Sequence, residues 1–195
     1  MHLSIDTDLV PYHWTCISNS AYFAPRDGAG ALVYEDTMWL IGGWNPRHNY
    51  FPRICTNDVW RSENGADWVC VKPNTFGKDT FDPETDWEGR HTAGYAVHDG
   101  RMWIVAGDCN QGHYHSDVWS SEDGVTWDRS TDQVPWALRT LHYTVAHDGW
   151  LWVIGVRRSH SLRLKKNAST TTSGDRVTTT NGSASQRTSL SLSAA

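Results

Sequence analysis

Three arginines, Arg26, Arg90 and Arg139, recur just ahead of β-prone runs, and a guanidinium fork is suited to bidentate capture of a carboxylate. Asp27 and His91 follow the first two directly, and His142 lies three residues beyond the third. Imidazole titrates near neutral pH, so His91 and His142 are the weak candidates for exchanging a proton with a substrate hydroxyl. A second group is His113-x-His115, with Asp108, Cys109 or His91 as further donors. If the chain is extended there, alternate residues share a side and both imidazoles could face one ion. An isolated H-x-H in a polar loop is a weak signal, so neither a metal site nor a cofactor is assigned. Trp44 and Asn45 open a loop after a diglycine, where an indole can stack on a sugar ring or a partner side chain. The candidate binding set is therefore Arg26, Asp27, Trp44, Asn45, Arg90, His91, Asp108, Asn110, His113, His115, Arg139 and His142. A second role is open for the arginines, namely bonding to backbone carbonyls of their own repeat.

The elements that must position these residues are legible from a repeat. Arg90 to Trp127 reads as two successive hairpins: Asp99-Gly100 and Asp123-Gly124 are strong tight-turn signals because both central residues need positive φ. The strands expected are Ala93–His98, Met102–Ala106, Val118–Ser120 and Val125–Trp127, four short antiparallel strands a, b, c and d. Fixed offsets then return along the chain. Arg26 to Gly43 and Arg90 to Gly107 are both 17 residues, Trp60 to Trp68 and Trp119 to Trp127 are both 8, and His147 and Trp152 each fall 49 residues after His98 and Trp103. An aromatic residue three before each Arg also recurs, as Phe23, Trp87 and Trp136. Ten of the twelve tryptophans occupy recurring positions, which assigns them to packing between units rather than to chemistry.

Diglycine after strand b, paired Trp across a D-G or N-G turn and the recurrent Arg resemble the kelch-repeat β-propellers of the galactose-oxidase-like and sialate-epimerase-like superfamily. The resemblance covers about residues 12–156. It implies an all-β fold of four-stranded antiparallel blades and a recognition surface on the face carrying the b–c loops and d–a connections. Both long b–c loops, residues 44–57 and 108–116, leave from that face, together with the arginines and histidines above. Departures are Ala106-Gly107 and Gly155-Val156 in place of diglycine. The function implied is recognition of a protein or glycan; the alternative is a carbohydrate-active enzyme of sialate epimerase or mutarotase type. The copper set of galactose oxidase does not map residue by residue, which ranks a copper oxidase last. Ser121 to Trp127, echoed at Ser62 to Trp68, looks like a shortened sialidase Asp-box, a structural hairpin rather than a catalytic one.

Organisation along the chain follows. Residues 1–17 read as an orphan strand d centred on Tyr12–Cys16, residues 18–156 as two complete blades and part of a third, and residues 157–195 as a disordered basic Ser/Thr-rich tail. That tail has 16 Ser or Thr among 39 residues and no Trp, Tyr or Phe, too little apolar surface to offset chain entropy. Its abrupt start, in mid-motif, suggests a shifted reading frame and an incomplete product, which is expected to be marginal in stability. The net charge of −5 divides into +6 over the tail (seven Lys or Arg, one Asp) and −11 over the rest, which disfavours nucleic acid as a partner. No apolar run suits a membrane span and no signal peptide opens the chain. The four cysteines show no C-x-x-C spacing, so reduced thiols in a cytoplasmic setting are expected.

Overall fold

The computed structural model describes residues 13–45, 55–110 and 113–155. All the regular elements among them are strands, and they form four-stranded antiparallel blades of the β-propeller type. The first blade is β1 (Gly30–Tyr34), β2 (Thr37–Trp44), β3 (Cys55–Ser62) and β4 (Val69–Lys72), hydrogen-bonded in that order. The second comprises β5 (Gly94–His98), β6 (Arg101–Val105), β9 (Val118–Ser121) and β10 (Asp128–Thr131). Between β6 and β9, a two-stranded hairpin of β7 (Asp108–Asn110) and β8 (His113–Tyr114) occupies the b–c connection. A third unit contributes β11 (His142–His147) and β12 (Trp150–Gly155). Among the described residues no helix is long and apolar enough to cross a membrane.

Turn chemistry sets the registers. Asp99-Gly100 and Asp148-Gly149 both take positive φ at each residue, closing two-residue turns between His98↔Arg101 and His147↔Trp150. Glu35-Asp36 does the same without glycine, at φ 49 and 56. Innermost strands β1, β5 and β11 lie side by side, and small residues allow it. A Cβ on Gly30 would lie 2.4 Å from the Tyr95 ring, and one on Gly94 would lie 1.9 Å from Thr144 Oγ1.

The core sits between blades. One cluster joins Tyr34, Trp39, Ile41 and Val59 of the first blade to Met102, Ile104, Trp119 and Trp127 of the second, with Trp87 at its centre. A second cluster joins Trp103, Val105 and Val118 to Leu151 and Val153 of the third unit. The recurring tryptophans carry this packing: Trp87 and Trp127 meet edge to face at 5.7 Å, as Phe23 and Trp68 do at 5.2 Å. In β2, β6 and β12 the indole N–H donates to the backbone carbonyl five residues back, Trp39 to Tyr34, Trp103 to His98 and Trp152 to His147. Truncating a buried Trp of this kind costs about 3–5 kcal/mol.

Two expectations need correction. Strand d does not end at the second Trp of each unit; it begins after it, at Val69 and Asp128. Asp123 Oδ1 accepts the N–H groups of Val125 and Thr126, while Ser121 Oγ accepts from Gly124 N and donates to Thr126 O. Those donors are held in the turn and cannot join a ladder. Asn64 and Ser62 repeat the arrangement, so the Asp-box-like stretch is a turn device. The strand expected around Tyr12–Cys16 is the other difference. His13 to Cys16 is irregular and pairs with no strand among the described residues, and Trp14 is 95% exposed, because a strand without an edge to bond has nothing to hold it extended. Tyr12, residues 46–54 of the first b–c loop and the expected tail lie outside the described residues.

Candidate functional site

The arginines act inside their own blades. Arg26 Nη1 and Nη2 donate to both carboxylate oxygens of Asp58 at 2.6 and 3.0 Å, and Arg90 does the same to Asp117 at 2.6 and 3.1 Å. Each Asp also accepts from the indole two residues on, Trp60 or Trp119, at 2.7 Å. Each Arg additionally donates to the carbonyl 16 residues ahead, that of Gly42, Ala106 or Gly155. The same guanidinium lies over the aromatic three residues before it, Phe23, Trp87 or Trp136, at 5.6, 5.9 and 5.9 Å. Arg90 has no exposed side-chain surface and Arg26 only 6%. Arg26 and Arg90 hold the Asp58 and Asp117 carboxyls below the usual carboxylate range, although burial acts the other way. The expectation of a guanidinium cluster gripping a ligand carboxylate is thus corrected for Arg26 and Arg90: a carboxylate of the same blade already occupies the fork.

His142 is corrected as well. It opens β11, is 5% exposed and packs on Gly94 between the second and third units. Burial and the neighbouring Arg139 lower its pKa to about 4, so it is a neutral packed imidazole rather than an open acid–base group.

His91 is different. It joins Asp108 in a two-way backbone bridge, His91 N to Asp108 O at 2.9 Å and the reverse at 3.2 Å. Its Nδ1 also lies 2.5 Å from Asp108 Oδ1. Burial opposes protonation of this ring, but the Asp108 carboxylate outweighs it and raises the pKa. The ring lies nearly parallel to the Trp44 indole, with centroids 6.1 Å apart and 28° between planes. Trp44 is itself fixed by a bridge to Asp27, with Asn45 half-buried beside it. Asp27, Trp44, His91 and Asp108 are thereby brought together where the first two blades meet. Thr92 donates to Asp108 Oδ1 at 3.3 Å and contacts the Thr140 hydroxyl. Both threonines were missed in the sequence, where a hydroxyl flanking the recurrent Arg carries no signal of its own.

The other candidates gather on the far side of Asp108. Asn110 pairs with His113 across the β7–β8 hairpin, and His113 and His115 meet edge to face at 5.1 Å. His113 Nε2 lies 2.8 Å from Glu88 Oε2, and His115 Nδ1 3.9 Å from the same oxygen. Glu88, Cys109 and His115 place one donor atom each within 4.8 Å of one another. Burial, aided by Arg90, holds His115 neutral well below its usual range. Glu88 was invisible to the sequence reading because it stands 25 residues before His113 in an irregular connection. All four cysteines are free thiols. Cys55 donates to the Cys109 carbonyl at 2.8 Å, and its neighbour Cys109 together with burial pushes its pKa up.

No known protein-family model matches this sequence, and no curated protein matches it either. Among solved structures, one titled "Structure of YjhT" is similar: 15% identical, with 68% of this chain and 35% of that chain covered, at a TM-score of 0.48. The chain therefore spans about a third of that protein's length.

Proposed function

We propose that this chain is part of a kelch-type propeller acting on a sugar, with acid–base chemistry of epimerase or mutarotase type at His91. The observation that carries the reading is the His91–Asp108 pair beside Trp44. Anomer exchange needs one group to take a proton from a hydroxyl and return it to a ring oxygen. An imidazole poised near neutral pH does both. Asp108 holds Nδ1 and fixes the tautomer, which leaves Nε2 as the nitrogen facing substrate chemistry. Trp44 supplies the apolar plate on which the sugar's C–H face would rest. A carboxylate on that sugar is not part of the proposal, since Asp58 and Asp117 already occupy the Arg26 and Arg90 forks.

A second reading is a recognition module for a protein or glycan without turnover. It is favoured by the two-way backbone bridge between His91 and Asp108, which gives the pair a clasping role irrespective of any substrate. Saturation-transfer NMR of anomer exchange on a panel of reducing sugars separates the two. Under the enzyme reading His91→Gln lowers the exchange rate by about 10²-fold or more, while His142→Gln leaves it unchanged. Glycan binding without catalysed exchange in the folded wild type would establish the module instead.

A further inference from the structure

We infer that Glu88, Cys109, His113 and His115 form a Zn2+ site that fastens the β7–β8 hairpin to the connection between β4 and β5. The donor set is one thiolate, two imidazoles and one carboxylate, the mixture a tetrahedral structural zinc site accepts. Bonds of about 2.0–2.3 Å place tetrahedral donors about 3.3–3.7 Å apart. The Glu88, Cys109 and His115 donors already lie within 4.8 Å of one another, and His113 Nε2 is 2.8 Å from the same Glu88 oxygen. Small side-chain shifts close the remaining gap.

Burial points to a ligand independently of that spacing. The His115 side chain is 6% exposed, and its Nε2 is a buried nitrogen without a hydrogen-bond partner. Its Nδ1 stands at 3.9 Å from Glu88, beyond hydrogen-bond reach. A buried ring nitrogen left unsatisfied is costly and calls for a partner. Cys109 is 6% exposed beside it, at the rim of a small apolar cluster with Cys55 and Phe76, and it shares a 4.8 Å neighbourhood with the Glu88 and His115 donors. A cavity of about 250 Å³ lined by Glu88, His113, His115 and Asp117 gives an ion a way in. The Asp117 carboxylate is committed to Arg90 and Trp119, so it stays outside the donor set.

Fastened in this way, the hairpin fixes Asp108, the residue before Cys109. The ion is thus a positioning element for the edge on which His91 sits, and the inference stands whether or not a sugar binds there.

Metal-free full chain titrated with Co2+, with absorption as the readout, tests the site. A thiolate-to-cobalt charge-transfer band that saturates at a single equivalent and is displaced by Zn2+ is expected. Cys109→Ser removes the band. His113→Ala, whose side chain is 61% exposed and which therefore leaves folding intact, weakens Co2+ binding by about tenfold or more. Zn2+ raises the melting temperature of the wild type but not of Cys109→Ser. A folded wild type without the band overturns the inference, as does a band that survives Cys109→Ser or disappears instead in Cys16→Ser, the exposed thiol.

Discussion

The junction between the first two blades and the β11–β12 hairpin begin from the same sequence signature and end differently. Each has an aromatic, an Arg three residues later and a carbonyl 16 residues beyond that Arg. In the second blade the outer strand β9 adds Asp117 and Trp119, so that Arg90 is enclosed by a carboxylate, two carbonyls and an indole. In the third unit, among the described residues, no strand lies outside β12. Tyr143 is 73% exposed, Val145 47% and Ile154 42%, whereas Val105, which holds the Ile154 position one unit earlier, is fully buried. The inner hairpins fold by local turn chemistry, and in the second blade the third strand β9 brings in the Asp117 carboxylate that clasps Arg90.

That contrast makes Arg90→Ala the most damaging substitution expected. It strands the Asp117 carboxylate and should cost about 3–5 kcal/mol. Urea unfolding measures the loss, and a cost below about 1 kcal/mol would show that the Arg90–Asp117 pair does not hold the second blade together.

The turns sharpen it further. Gly124 and Gly149 have nearly the same φ, +72 and +75, yet a Cβ on Gly124 would lie 2.3 Å from the Trp39 ring while one on Gly149 meets nothing within 4 Å. Gly149→Ala should cost about 1 kcal/mol of backbone strain. Gly124→Ala should add about 1–3 kcal/mol of overpacking, seen as a lower denaturation midpoint.

The smallest effect concerns pH. Arg26 depresses the Asp58 pKa in the folded chain, so this pair contributes stability that is fully present above the unfolded value of about 3.9 and is lost as pH falls through the folded value. Denaturation midpoints measured from pH 5 down to pH 2 should fall more steeply for the wild type than for Asp58→Asn. Parallel curves would mean that the latch carries no net charge coupling.

Fixed offsets made the blades readable before any coordinates. Asp99-Gly100 and Asp148-Gly149 turn where expected, and Trp39, Trp103 and Trp152 make the same indole-to-carbonyl bond in successive units. The shift of strand d past Trp68 and Trp127 was not readable, because it depends on which backbone donors Ser62, Asn64, Ser121 and Asp123 capture first. Nor did the repeat distinguish an Arg that meets a ligand from one that meets its own blade.

Local pattern by itself determined the inner hairpins β1–β2, β5–β6 and β11–β12 and the turns that close them, since φ preference and side-chain period act over a few residues. The role of each polar residue was decided only by tertiary structure. Arg90 and Asp117 are 27 residues apart, His91 and Asp108 are 17, and Glu88 and His113 are 25. No periodicity links such pairs. Their charges meet because strand pairing within the second blade brings residues 88–91, 108–113 and 117 to one end of it, and burial there turns proximity into a strong interaction.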